Sequence, residues 1–74
     1  MNITVKLFAS FRAGRFDIEN SDYPAGTTVA DVADSLNLPQ SDLGIMMINN
    51  RHVKLDHRLD EGDILALFPL LGGG

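Results

Sequence analysis

The sequence predicts an α+β domain, a mixed sheet with one main helix across one face, and three observations carry that expectation. The chain opens on a strict alternation, with Ile3, Val5 and Leu7 set against Asn2, Thr4 and Lys6, the period of a strand with one buried face. It contains a single helical stripe, Val29, Val32, Ala33 and Leu36, spaced i, i+3, i+4 and i+7. It closes on the apolar run Ile64-Leu65-Ala66-Leu67-Phe68, followed by Pro69-Leu70-Leu71 and three glycines. A lone amphipathic helix must bury its stripe on something, and a sheet face is the natural partner.

The elements follow in order. After the first strand, Ala9 to Gly14 make a loop, with Gly14 available for its turn. Arg15-Phe16-Asp17-Ile18-Glu19 alternates again, so it is expected to return antiparallel to the first strand. Pro24-Ala25-Gly26 breaks the pattern. Thr28 is a good N-cap, and Asp31 falls in the first turn, where a carboxylate favours the helix dipole. Asn37 suits a left-handed exit from the helix, and Pro39 prevents continuation. Ile45-Met46-Met47-Ile48 is read as a mostly buried strand, Asn49-Asn50 as a tight turn of positive φ, and His52-Val53-Lys54 as a short return strand. Leu59-Asp60-Glu61-Gly62-Asp63 turns the chain into the last strand. The expected buried set is Ile3, Val5, Leu7, Val29, Val32, Leu36 and Ile48. The last strand is apolar on both faces, so the face away from the helix is expected to be a partner surface or to lie under loops.

Composition narrows the function. At 74 residues the chain is one domain, expected to span residues 1–69 with a flexible Gly-rich tail over 70–74. It has no cysteine, which removes disulfides, thiolate metal sites, thiol nucleophiles and side-chain persulfides. A formal charge of −4 opposes binding to nucleic acid or to an anionic membrane, both of which reward clustered cations. No apolar run approaches the ~20 residues of a membrane span, and Met1-Asn2 leads straight into a strand rather than a signal peptide. The expected compartment is the cytoplasm.

The tail is the chemically suggestive segment. Glycine has no Cβ and little width, so Gly72, Gly73 and Gly74 suit entry into a narrow active site on another protein. Counted from Pro69, the tail spans about 20 Å at ~3.3 Å per residue. No other candidate site has comparable support. His52 and His57 stand among Asp56, Asp60, Glu61 and Asp63, but without metal-ligand or calcium-loop spacing; they are read as solvated turn residues. Ser10, Ser21, Ser35 and Ser41 lack a base and a glycine elbow. Phe8 and Phe11 are either partner contacts or core and loop packing.

These residues resemble a family. Strand, strand, helix, strand, strand and a terminal Gly-Gly is similar to the ubiquitin-like sulfur carriers of β-grasp fold, which include the small subunit of molybdopterin synthase (MoaD) and the thiazole-synthesis carrier (ThiS). Ile48-Asn49-Asn50 resembles the family's hairpin entry, and Leu59-Asp60-Glu61-Gly62-Asp63-Ile64 resembles its turn into the final strand. Leu67-Phe68-Pro69 with the apolar pair and glycines resembles the family tail. Leu7-Phe8-Ala9-Ser10-Phe11-Arg12 and Pro69 are more similar to the molybdopterin branch. Two features depart from the pattern: a third glycine, Gly74, and Leu70 where that branch often has a second proline.

The resemblance implies a carrier with no catalytic residue in the body of the domain and no tightly bound cofactor or metal. A separate adenylating enzyme of the ubiquitin-activating type uses ATP on the terminal carboxylate of Gly73 or Gly74, and a sulfur donor enzyme converts the adenylate to a thiocarboxylate. Sulfur then passes to an acceptor held by the large subunit of molybdopterin synthase. Phe68, Pro69, Leu70 and Leu71 are the expected partner contacts, and Gly72, Gly73 and Gly74 the segment that enters the partner's active site. Alternatives of different class are a carrier for thiamine thiazole synthesis, a protein modifier joined to lysine amines, and an interaction domain with an inert tail.

Overall fold

The strand opening the chain, β1 (Asn2–Leu7), has the alternation its sequence predicts, with Ile3, Val5 and Leu7 buried and the residues between them half-buried. The computed structural model describes residues 1–70. β1 pairs antiparallel with β2 (Ile18–Asp22) and parallel with β5 (Ile64–Pro69), and β5 in turn pairs antiparallel with β3 (Leu43–Ile48). The short β4 (Arg51–His52) completes a five-stranded mixed sheet of order β2-β1-β5-β3-β4. The helix α1 (Val29–Ser35) buries Val29, Val32 and Ala33 in one core with Ile3, Val5, Leu7, Leu65, Leu67 and Ile48. This is the β-grasp arrangement.

The helix is only seven residues long, too short to be stable alone, so its ends carry unusual weight. At its start Thr28 and Asp31 form a reciprocal capping box, each side chain accepting the other's backbone N–H. Two further helix amides donate to the loop before β5, Val29 N–H to the His57 carbonyl and Ala30 N–H to the Leu55 carbonyl. At its end Asn37 adopts φ 58°, while the Asn37 and Leu38 amides donate to the Asp34 and Ala33 carbonyls. That is a Schellman closure with asparagine in the left-handed position and Leu38 driven into the core. The Arg15 guanidinium adds donors to the Leu36 and Asn37 carbonyls at 3.0 and 3.3 Å.

Several expectations shift. The return strand covers Ile18–Asp22 rather than Arg15–Glu19, because Arg15 closes the helix end and Phe16 packs from the loop against the core. Leu36 is half-buried rather than part of the buried set; as the C-cap it sits at the edge of the helix–sheet contact. Ile45-Met46-Met47-Ile48 is not mostly buried. Ile48 is, but Ile45 is exposed, because β3 has one face on the core and one on solvent. The Asn49-Asn50 turn has both φ values positive, as expected, and the return strand starts one residue early, with Arg51 opposite Ile48 and His52 opposite Met47.

Val32 is fully buried between helix and sheet. Val32→Asp places a carboxylate there without a partner, at a cost of several kcal/mol, against a total of roughly 5–15 kcal/mol for a small domain. The expected outcome is loss of the cooperative thermal transition in far-ultraviolet circular dichroism; a cooperatively folded variant would contradict this packing.

Candidate functional site

β5 has two apolar faces, and they have different fates. Leu65 and Leu67 are fully buried under the helix. Ile64, Ala66 and Phe68 point the other way, where no α-helix lies among the described residues, and the register brings like-facing neighbours beside them. Lys6 and Met47 flank Ala66, and Ile45 lies beside Phe68. Ile45 and Ile64 are each 41% exposed, large for β-branched apolar side chains in a sheet. A shallow groove of about 160 Å³ runs along this outer face between Lys6, Phe8, Met47, Ile64, Ala66 and Phe68, with Asn49 and Asn50 at one end.

One end of the groove is fixed by aromatic stacking. Phe8 remains extended past β1 and donates its N–H to the Leu67 carbonyl, which carries its ring over β5. The Phe8 and Phe68 rings stack with centroids 4.1 Å apart and planes at 12°. Arg12, on the 3-10 turn Ala9–Arg12, places its guanidinium carbon 5.4 Å from the Phe8 centroid and donates from Nε to the Leu7 carbonyl. The same turn sends Phe11 into the core. Of the two aromatics left open by the sequence, Phe8 belongs to the outer face and Phe11 to the interior.

The tail leaves at the same edge. Phe68 is half-buried, Pro69 is buried opposite Leu43, and Leu70 is 62% exposed. Leu70 donates its N–H to the Asp42 carbonyl at 2.9 Å. Leu71, Gly72, Gly73 and Gly74 lie outside the described residues.

The residues weighed as weaker sites have structural work. The His57 carbonyl accepts from the helix, and the buried Asp63 carboxylate accepts from the Asp60 amide and from Asn49 Nδ2. A wider hollow of about 510 Å³ beside His57 and Asp63 is lined by these and by Ile48, Asn49, Arg51, Val53 and Asp60. Its buried polar atoms are already hydrogen-bonded. Among the described residues, no group of three His, Asp or Glu side chains is placed to hold a metal ion, and no helix is long and apolar enough to cross a membrane. Lys6 and Ile64 were not singled out from the sequence, and Ile45 and Met47 only as parts of a mostly buried strand, yet the signal was there: continuing the period of two from Leu65 and Leu67 puts Ile64, Ala66 and Phe68 together on the outside.

The model of the ThiS family matches residues 5–74. The chain belongs to the ThiS family of ubiquitin-like sulfur carriers. Carriers of this family are substrates of partner enzymes and are not themselves catalysts. Among solved structures, the ThiS-family chain is similar to a Pyrococcus furiosus protein named as molybdopterin converting factor, subunit 1. The identity is 28%, over 93% of this chain and 97% of that one, with a TM-score of 0.75. It is equally similar to SAMP1 from Haloferax volcanii, a small archaeal modifier protein, at 28% identity over the whole of both chains with a TM-score of 0.76. The complex of subunits 1 and 2 of molybdopterin-converting factor from Helicobacter pylori shares the fold, at 16% identity over the whole of both chains and a TM-score of 0.66. The curated proteins include no match.

Stacked aromatic pairs contribute about 0.5–1.5 kcal/mol beyond their buried area. A double-mutant cycle with Phe8→Leu and Phe68→Leu, read by urea unfolding, is therefore expected to show a coupling of about 0.5–1.5 kcal/mol. A coupling near zero would mean that the two rings hold the groove independently.

Proposed function

We propose that this chain carries sulfur for molybdopterin biosynthesis on the carboxylate of its terminal glycine, either Gly73 or Gly74. The supporting observation is the exit of the Gly-rich tail beside an exposed apolar sheet face, in a family of sulfur carriers. The similarity at 28% identity to molybdopterin converting factor subunit 1 favours this acceptor over thiazole.

The chemistry follows from the carboxylate. Unactivated, it resists nucleophiles at neutral pH. Attack on the α-phosphorus of ATP expels pyrophosphate and leaves an acyl-adenylate, with AMP as leaving group. Hydrosulfide then forms the C–S bond as the C–O bond to AMP breaks, giving a thiocarboxylate. A persulfide donor reaches the same product through an acyl disulfide, which a second thiol opens, leaving the donor as a disulfide. Every reacting atom of this chain is at its terminus, which accords with a protein lacking cysteine. The first partner is an adenylating enzyme of the ubiquitin-activating type, the second a sulfur donor, and the third the large synthase subunit. The pairing of subunits 1 and 2 in the Helicobacter pylori complex gives a precedent for this fold docking on such a subunit. The setting proposed is the cytoplasm.

The docking surface is assigned to the outer face together with the tail base: Phe8, Ile64 and Phe68 with Leu70 and Leu71. Pro69, being buried, contributes by holding the tail base in place. One further reading has a specific observation behind it. The likeness to SAMP1 favours a modifier, in which a lysine amine attacks the same adenylate and expels AMP to form an amide.

Mass spectrometry of the chain recovered from its host separates the two. Exchange of one oxygen for sulfur adds about 16 Da, whereas modification produces conjugates of higher mass. Deleting Gly73 and Gly74 shortens the tail by about 6–7 Å and is expected to abolish the sulfur-bearing species; sulfur on that truncated chain would overturn the carrier reading. Deleting Gly74 alone identifies the working terminus: full activity assigns Gly73, and loss assigns Gly74.

Replacing Leu70 and Leu71 with alanine is expected to leave the fold intact and to weaken binding to the adenylating enzyme roughly ten- to hundred-fold for each leucine lost, about 1.5–3 kcal/mol apiece. Titration calorimetry measures this, and unchanged affinity would remove both residues from the docking surface.

A further inference from the structure

β3 contains an irregularity where it meets the end of β5. Leu43 pairs with Pro69 and Ile45 with Phe68, so Gly44 is the extra residue of a β-bulge. A Cβ on Gly44 would lie 2.7 Å from the Pro69 carbonyl oxygen and 3.0 Å from both the amide nitrogen and the Cα of Leu70. Ordinary contact begins at 3.4 Å, and all three atoms are backbone, so no rotamer change relieves the overlap. Two residues back along the same strand approach, the Asp42 carbonyl accepts the Leu70 N–H at 2.9 Å. The Pro69–Leu70 peptide thus lies directly on the backbone of Gly44 and is tied to Asp42. Gly14, Gly26 and Gly62, by contrast, have open space where a Cβ would go.

We infer that the bulge at Gly44, with the Asp42 carbonyl, is a clamp that fixes where the tail departs, making Gly44 a positioning residue for delivery of the terminal glycine into a partner's active site. The inference rests on the carrier reading. With the tail held at Leu70, only Leu71 to Gly74 remain to span the partner's channel, about 13 Å at ~3.3 Å per residue. Four residues have a fixed maximum reach, so where their base sits limits where the terminal carboxylate can arrive. Any side chain at position 44 must push the Pro69–Leu70 peptide away by several tenths of an ångström. Reacting groups tolerate about 0.5 Å of misplacement, and 1 Å costs about a hundredfold in rate. The three atoms nearest the added Cβ belong to Pro69 and Leu70 and none to Phe8, Ile64 or Phe68, so the larger part of the docking surface keeps its place while Leu70, at the tail base, shifts.

The test is Gly44→Ala in the full chain, with two readouts. The first is amide hydrogen exchange by nuclear magnetic resonance. In the unaltered protein the Leu70 amide is expected to be protected as the β5 amides are. In Gly44→Ala its protection falls about tenfold or more while Leu65 and Leu67 keep theirs. The second is ATP–pyrophosphate exchange with the host's adenylating enzyme: kcat is expected to fall about tenfold or more, and by a larger factor than KM for the carrier rises. An unprotected Leu70 amide in the unaltered protein would overturn the clamp, and that measurement stands even if the variant does not fold. Unchanged kcat alongside lost Leu70 protection, or a rise in KM with kcat intact, would overturn the positioning role. If the unaltered chain is not adenylated at all, the carrier reading and the delivery role fail together, while Leu70 exchange still decides whether the clamp exists.

Discussion

β5 lies between β1 and β3, and the parallel pairing of Thr4–Leu7 with Ile64–Leu67 joins the two ends of the chain at the centre of the sheet. Such a contact closes nearly the whole chain into a loop, an entropic cost that grows only slowly with length but must be offset by burial. The offset comes from the inner face: Leu65 and Leu67 meet Ile3, Val5, Leu7 and the helix stripe in one apolar core. The last strand cannot fray without exposing that core. The base of the tail, at Pro69 and Leu70, is thereby rooted in the central strand of the sheet.

The same constraint leaves the other face of the sheet open. A single short α-helix covers one side of the sheet, so among the described residues the outward positions of β5 are only partly covered. Phe8 partly shields them by stacking on Phe68, and the adjacent Ile45 and Ile64 stay open to solvent. An exposed apolar strip next to the tail exit is costly for a free monomer and useful for a carrier that docks on successive enzymes. On the function proposed, the body of the domain supplies recognition and geometry, and the reactive atoms belong to the main chain.

The helix and its caps were legible in local sequence because each depends on neighbours a few residues away. Thr28 with Asp31, and Asn37 before Pro39, act within one turn of the backbone. The turn residues Asn49, Asn50 and Gly62 were legible for the same reason, since positive φ selects asparagine and glycine at the position itself. β2 was misplaced because the pattern around Phe16 and Ile18 suits a strand equally well in either frame. What chose the frame was Arg15, drawn away to the helix C-terminus, a partner far along the chain. Ile45 misled for a related reason: a continuous apolar run does not say which of its residues will face water.

The sequence by itself determined the fold class, the single helix and its ends, the alternation of the first and last strands, and the Gly-rich tail that points to terminal chemistry. These are matters of periodicity, backbone preference and composition. Only the tertiary structure decided that Phe8 stacks outside while Phe11 packs inside, that Ile64 and Ile45 share a face with Phe68, and that Gly44 lies beneath the Pro69–Leu70 peptide. Each of those depends on strand order and register, which bring together residues far apart in the chain and leave no local mark. A glycine needed for close approach of a distant backbone looks, in sequence, like any other glycine.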